Sequence, residues 1–211
     1  ARYLKSLDNK FTYRIIFIPE TIGSIAYLSD GDKYKSLKEN VIAGFQVTCV
    51  GDSKNCSYLE TRTGDTYTDK IIQFYLMNKN IPHIRYSFLD RGSDERQWCS
   101  PGIDLPVASL MNSKYGEYKE YHTSLDNLDF INPQGLQFSF ENLANCINLI
   151  ESNKVFKARF LCEPQLGKRN LYIGLDTEIT REKSKLIANI LAYSDGKNSI
   201  IDICEILKSD F

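Results

Sequence analysis

The sequence predicts an α/β fold: a three-layer sandwich with a mixed, mostly parallel sheet, followed by the start of a winged-helix-like module. Three observations carry this expectation. Continuous β-branched runs such as "TYRIIFIP" (12–19) and "AGFQVTCVG" (43–51) suit strands buried on both faces. Amphipathic helical stretches alternate with such runs, which is the pattern of α/β domains. A chain of 211 residues buries one sizeable core and leaves room for a small second module.

The elements follow in order. "ARYLKSL" reads as the last turns of a helix that begins before Ala1. "TYRIIFIP", ended by Pro19, is the first strand, and "AGFQVTCVG", bounded by Gly44 and Gly51, is the second. "TDKIIQFYLMNKN" predicts a helix with Thr68 as N-cap and Ile71, Ile72, Tyr75 and Leu76 on one face. "HIRYSFL" (83–89) alternates like a half-buried or edge strand, and "LPVASLM" (105–111) is a fourth short strand. Asn132-Pro133 is a cap and first helical position. Leu136, Phe140, Leu143, Ile147 and Ile150 then form the stripe of a helix of roughly five turns, expected to cover one face of the sheet.

From Lys157 onward Pro and Gly punctuate "ARFLCEPQLGKRNLY", which reads as a connector. "TREKSKLIANILAYSDGKNSIIDICEILKSDF" predicts a helix, a Ser-Asp-Gly turn and a second helix from Ser199, the opening of a helix-turn-helix. The last helix carries no end signal, so both ends read as cuts within a longer protein. The expected organisation is a partial catalytic domain over 1–156, a connector over 157–179 and a truncated winged-helix-like module over 180–211.

Composition excludes several classes. Lys+Arg 26 against Asp+Glu 27 leaves a formal charge of −1, which argues against nucleic acid or an anionic membrane as partner. The longest apolar runs are strand-sized, far short of a bilayer span. Six cysteines lack C-x-x-C spacing, so zinc fingers and redox motifs are not indicated. Buried free thiols are the simple reading, and a Cys49–Cys56 disulfide is the alternative; this usage points to the cytoplasm.

Three loops after expected strands hold the polar residues that could carry chemistry. In "FIPETIGS" (17–24), Glu20 follows an apolar strand, where a carboxylate at the strand's carboxyl end suits a general base. It equally suits the first turn of the following helix, against the dipole. In "DRGSDERQWCSPG" (90–102), Arg96 could hold an anion and Asp94 or Glu95 orient an amine, or the loop could satisfy its own charges. Trp98 is expected to pack beneath it. In "EYHTSLDNLDF" (120–130), His122 is either a metal ligand or a surface histidine. If it is a ligand, Asp126 is placed to orient it and Tyr121 to donate to an oxyanion.

Taken in order and spacing, these loops, with "LPVASLM", "CEPQLGKRNLY" and "YSDGKNSIIDI", resemble the zinc-dependent aminopeptidase/glutamate-carboxypeptidase superfamily typified by bacterial leucyl aminopeptidase. They are most similar to an aminopeptidase-like branch found in bacterial polysaccharide-biosynthesis loci, which carries a C-terminal winged-helix-like module. The resemblance covers almost the whole chain and implies an incomplete zinc-exopeptidase-like fold. It implies Glu20 as catalytic base, Tyr121 as oxyanion donor, His122 as metal ligand and Asp94, Glu95 and Arg96 at the substrate pocket.

The chain also departs from that pattern. Thr21 stands where the superfamily has a second, metal-binding Glu, and Thr48 where it has a metal-binding Asp. Glu95 replaces a His, and the first metal-binding His and bridging Asp would precede Ala1. The resemblance therefore implies one zinc ion rather than two, with Glu20 as base or supplementary ligand. It implies a small peptide or amide substrate, and a homo-oligomer is compatible with it. A catalytically degenerate accessory module on the same fold is the competing expectation.

Overall fold

The computed structural model describes residues 1–169 and 178–210. The chain divides into two compact units, Ala1–Glu151 and Ser152–Phe211. The first contains α1 (Arg2–Ser6), α2 (Ile22–Leu28), α3 (Gly31–Asn40), β1 (Gly44–Gln46), β2 (Ser57–Leu59) and α4 (Tyr67–Asn78). After these come β3 (Ile84–Tyr86), α5 (Glu95–Trp98), β4 (Val107–Met111) and α6 (Pro133–Ser152).

The sheet has the order β1-β4-β2-β3. β1 runs parallel to β4 and β2 parallel to β3, while β2 and β4 are antiparallel, so the sheet is mixed and mostly parallel. β2 and β4 are buried throughout. Side chains alternate across the sheet. Leu59, Val107 and Met111 join Leu28 of α2, Leu37 of α3 and Trp98 of α5 in one core. On the opposite face the Tyr58 hydroxyl donates to Asp69 of α4. Helices therefore cover both faces, as the α/β pattern predicts.

Local chemistry sets the helix starts. α4 begins at a capping box, with the Thr66 hydroxyl accepting from Asp69 N and the Asp69 carboxylate accepting from Thr66 N. The cap is thus Thr66, not Thr68, whose hydroxyl instead donates to the Pro106 carbonyl at 2.6 Å and ties α4 to β4. Ile71, Ile72, Tyr75 and Leu76 are buried on the expected face. α6 starts where Asn132-Pro133 places it, with Asn132 Oδ1 accepting from Gly135 N at 2.8 Å.

Several expectations fail for identifiable reasons. Residues 12–19 form no strand and pair with none among the described residues. Ile16 and Ile18 pack on the core while Phe17 is 93% exposed, so the run uses one face only. A short apolar run cannot by itself distinguish these two uses. β1 ends at Gln46, because the chain turns at Cys49 with φ 50. β2, the triplet Ser57-Tyr58-Leu59, is too short to read as a strand from its sequence. The α6 stripe is buried only toward its C-terminal end: Ile150 is buried and Leu143 and Ile147 are partly so, but Leu136 and Phe140 are half exposed, and Gly135, Ser139, Asn142 and Cys146 are buried in their place. A Cβ on Gly135 would overlap the Asp52 carbonyl. Small and polar side chains let the α6 backbone approach that loop, where Asn112 Nδ2 donates to the carbonyls of Asp52 and Gly135.

The second unit contains β5 (Val155–Lys157), α7 (Glu178–Tyr193), β6 (Asp195–Ser199) and α8 (Ile200–Leu207). Asp195 and Gly196 of the expected Ser-Asp-Gly turn open strand β6, which pairs antiparallel with β5 across a register shift. Residues 152–156 consequently group with this unit. α8 opens on a Ser199–Asp202 capping box. It also ends in place, with Lys208 left-handed (φ 52) and Ser209 N donating to the Cys204 carbonyl at 3.0 Å. Residues 170–177 of the expected connector lie outside the described residues. All six cysteines are free thiols. Among the described residues no helix is long and apolar enough to cross a membrane.

Candidate active site

Two of the three motif loops bend through a left-handed backbone at a residue other than glycine, Thr21 (φ 61) and His122 (φ 57), and so does Cys49 (φ 50) in the segment after β1. Such conformations cost on the order of 1–3 kcal/mol and collect at functional sites. Thr21, β-branched and N-cap of α2, is the most strained of them, with ψ −68. Its conformation is held from outside the segment. Thr21 N donates to Asp94 Oδ1 at 2.6 Å, and Arg96 Nη2 donates to Thr21 Oγ1 at 2.6 Å. The first and second motif loops are thereby joined.

The second loop turns inward. Glu95 is fully buried. Its Oε1 accepts from Gly92 N (2.8 Å), Ser93 N (3.0 Å) and the Tyr115 hydroxyl (2.7 Å), and its Oε2 from Ser109 Oγ (3.3 Å). This carboxylate closes the loop onto β4 and does not face an open cleft, unlike the pocket position expected for it. Burial, then the Glu95 charge, pushes the Tyr115 phenol well above its ordinary range. Asp94 is buried as well, and Trp98 packs beneath, 6.0 Å from the Tyr27 ring. Arg96 remains half-buried.

The third loop turns outward. His122 is exposed and stacks on Tyr121, with ring centroids 3.9 Å apart. Tyr121 packs against the core, edge-on to Tyr118 at 5.5 Å. Burial, then the charge of Glu20, raises the Tyr121 phenol. It therefore stays a hydrogen-bond donor through neutral pH, and its ring packs on the same core as Ile16 and Ile18, which lead to Glu20. The Glu20 side chain is exposed and makes no hydrogen bond or ion pair among the described residues. Asp126 does not orient His122. Its Oδ2 accepts from the Tyr118 hydroxyl at 3.3 Å, and that hydroxyl also lies 3.8 Å from Cys49 Sγ.

The fold thus brings together Glu20, Thr21, Asp94, Arg96 and Tyr121, with His122 stacked at the rim. It directs Glu95 inward and gives Asp126 to Tyr118. Tyr115 and Tyr118, which hold these loops, were not singled out from the sequence; the i, i+3 spacing of Tyr118 and Tyr121 was the available signal. Metal binding is not met by this donor set. Among the described residues no three His, Cys, Asp or Glu side chains are grouped to hold an ion. Thr21, where the resemblance expects a ligand, presents its hydroxyl to a guanidinium instead. A recess of about 330 Å³ lies in the second unit, lined in part by Lys157, Phe160, Cys162 and Leu191.

Comparison with known proteins gives the same frame. Residues 137–211 match a winged helix-turn-helix family model. A Clostridium acetobutylicum protein, provisionally named for polysaccharide biosynthesis with an aminopeptidase-like domain, is 44% identical over 207 residues, covering 96% of this chain and 46% of that protein. A crystal structure of a C. acetobutylicum protein, provisionally described as a peptidase, superposes with TM-score 0.83 at 41% identity, over 98% of this chain and 46% of that one. An aminopeptidase from Aneurinibacillus sp. strain AM-1 gives TM-score 0.47 at 18% identity, too distant to inform the chemistry. The chain spans about half the length of the relatives it matches. Residues 1–153 match the model "Domain of unknown function (DUF4910)", and the chain belongs to that family.

Proposed function

We propose that this chain contributes the base and oxyanion side of an aminopeptidase-like amide or peptide hydrolase. The observation that carries this reading is the convergence of an unpaired carboxylate, Glu20, with a protonated phenol, Tyr121, from segments about a hundred residues apart. Glu20 accepts a proton from the attacking water and returns it to the leaving amine. Tyr121 donates to the oxyanion of the tetrahedral intermediate. Asp94 and Arg96 keep the strained Thr21 turn, and so Glu20, in place. The peptidase and aminopeptidase-like names of the relatives support the reaction class. The name of the first relative supports a setting in polysaccharide biosynthesis.

Zinc dependence belongs to this reading only for the longer protein, in which His122 would supply one ligand, and no step above runs through a metal. We place the substrate among small peptides or amides in the cytoplasm, and take neither nucleic acid nor membrane as partner. The test is Glu20→Gln in the full-length protein. Turnover of amino-acid amides should fall by roughly a hundredfold or more with an unchanged melting temperature. An unchanged rate would sink the assignment.

A second reading, a catalytically degenerate accessory module, is favoured by threonine at positions 21 and 48, where the resemblance expects acids. Full-length protein that carries no divalent ion and turns over no amide would establish it over the first.

A further inference from the structure

Arg96 is a half-buried cation that makes no ion pair among the described residues. A guanidinium has five N–H donors in a planar, permanently charged fork. Among the described residues its side chain makes one hydrogen bond, from Nη2 to the neutral Thr21 hydroxyl at 2.6 Å. Nε is shut off from water with no acceptor. Nη1 also has no partner but is not enclosed, so the outer edge of the fork reaches solvent. Asp94, two residues away, does not pair with it: its Oδ1 is turned to Thr21 N. A buried polar group left in this state calls for a physical reason, and one reason is a ligand.

We propose that Arg96 is an anion subsite beside Glu20 and Tyr121, and that it receives a carboxylate carried by the substrate. This deepens the hydrolase reading and rests on it for the word substrate. A carboxylate arriving from solvent meets the Nη1/Nη2 edge, where two parallel hydrogen bonds form. Thr21 links the two functions, since its hydroxyl holds the guanidinium and its backbone leads directly from Glu20. The substrate amide then lies toward Glu20 while its carboxylate is anchored on the far side of Thr21. A guanidinium that served only to clamp the Thr21 turn would need Nη2 alone. The carboxylate is either the C-terminal group of a short peptide or an acidic side chain.

Isothermal titration calorimetry on the full-length protein at low salt separates these. One probe pair is N-acetylglycine against N-acetylglycinamide; the other is N-acetylglutamic acid α-amide against N-acetylglutamine amide. Within one pair the carboxylate should bind at least tenfold more tightly than its neutral partner, and that pair identifies the source. Arg96→Gln should abolish the preference. The proposal is overturned if neither pair shows a preference, if no probe binds, or if the preference survives Arg96→Gln. If Arg96→Gln fails to fold, Arg96→Lys decides: a preference weakened when the planar fork is replaced by a point charge supports the subsite, and an unchanged preference overturns it. Binding without turnover retains the subsite and removes the hydrolase reading. Turnover indifferent to the carboxylate does the reverse.

Discussion

The loops around Glu95 and His122 have similar polar sequences and opposite fates. "DRGSDERQWCSPG" folds its acidic residue inward, where four donors converge on one carboxylate. "EYHTSLDNLDF" leaves its histidine outside, stacked on one ring and left-handed in backbone. The difference lies in the donors available nearby. Gly92 and Ser93 offer backbone N–H groups to an acid two and three residues on, and Tyr115 and Ser109 complete the shell across the fold. His122 is adjoined by turns that satisfy themselves, Thr123 Oγ1 accepting from Leu125 N and Asn127 Oδ1 from Asp129 N. The number of charged residues in a loop says little about function; whether their hydrogen-bonding capacity is met internally says more.

That contrast can be broken most sharply at Glu95. Glu95→Ala strips the acceptor from two buried amides and two hydroxyls, and unfolding in urea should show a loss of about 3–5 kcal/mol. A loss below about 1 kcal/mol would mean that the carboxylate does not hold the loop. A smaller effect is expected for Tyr115→Phe, which keeps the ring and removes one charge-assisted hydrogen bond of 2.7 Å. A cost of about 1.5–3 kcal/mol in the same measurement would match a bond to a charged group. The smallest effect should come from His122→Ala, which touches an exposed side chain and leaves the backbone turn in place. Stability should change by less than about 1 kcal/mol, and a larger loss would show the outer loop to be as integral as the inner one.

The sequence by itself determined the elements whose signal is local. The 3.6-residue period and the Asn132-Pro133 start defined α6, the apolar face of α4 was correct, and β3 and β4 stood out by alternation or continuity. It also marked the loops that hold Glu20, Arg96 and Tyr121, because clusters of polar residues between apolar runs are visible in one dimension. Only the tertiary structure decided which face of α6 is buried, since the close approach of Gly135 to Asp52 outweighs the apolar stripe at Leu136 and Phe140. The tertiary structure also decided that residues 12–19 lack a ladder, that Ser57–Leu59 occupies the centre of the sheet, and that Asp126 serves Tyr118. The physical reason is the same in each case. Burial and hydrogen-bond partners are long-range quantities, set by what another segment presents, and a local pattern encodes the capacity for a contact without its partner.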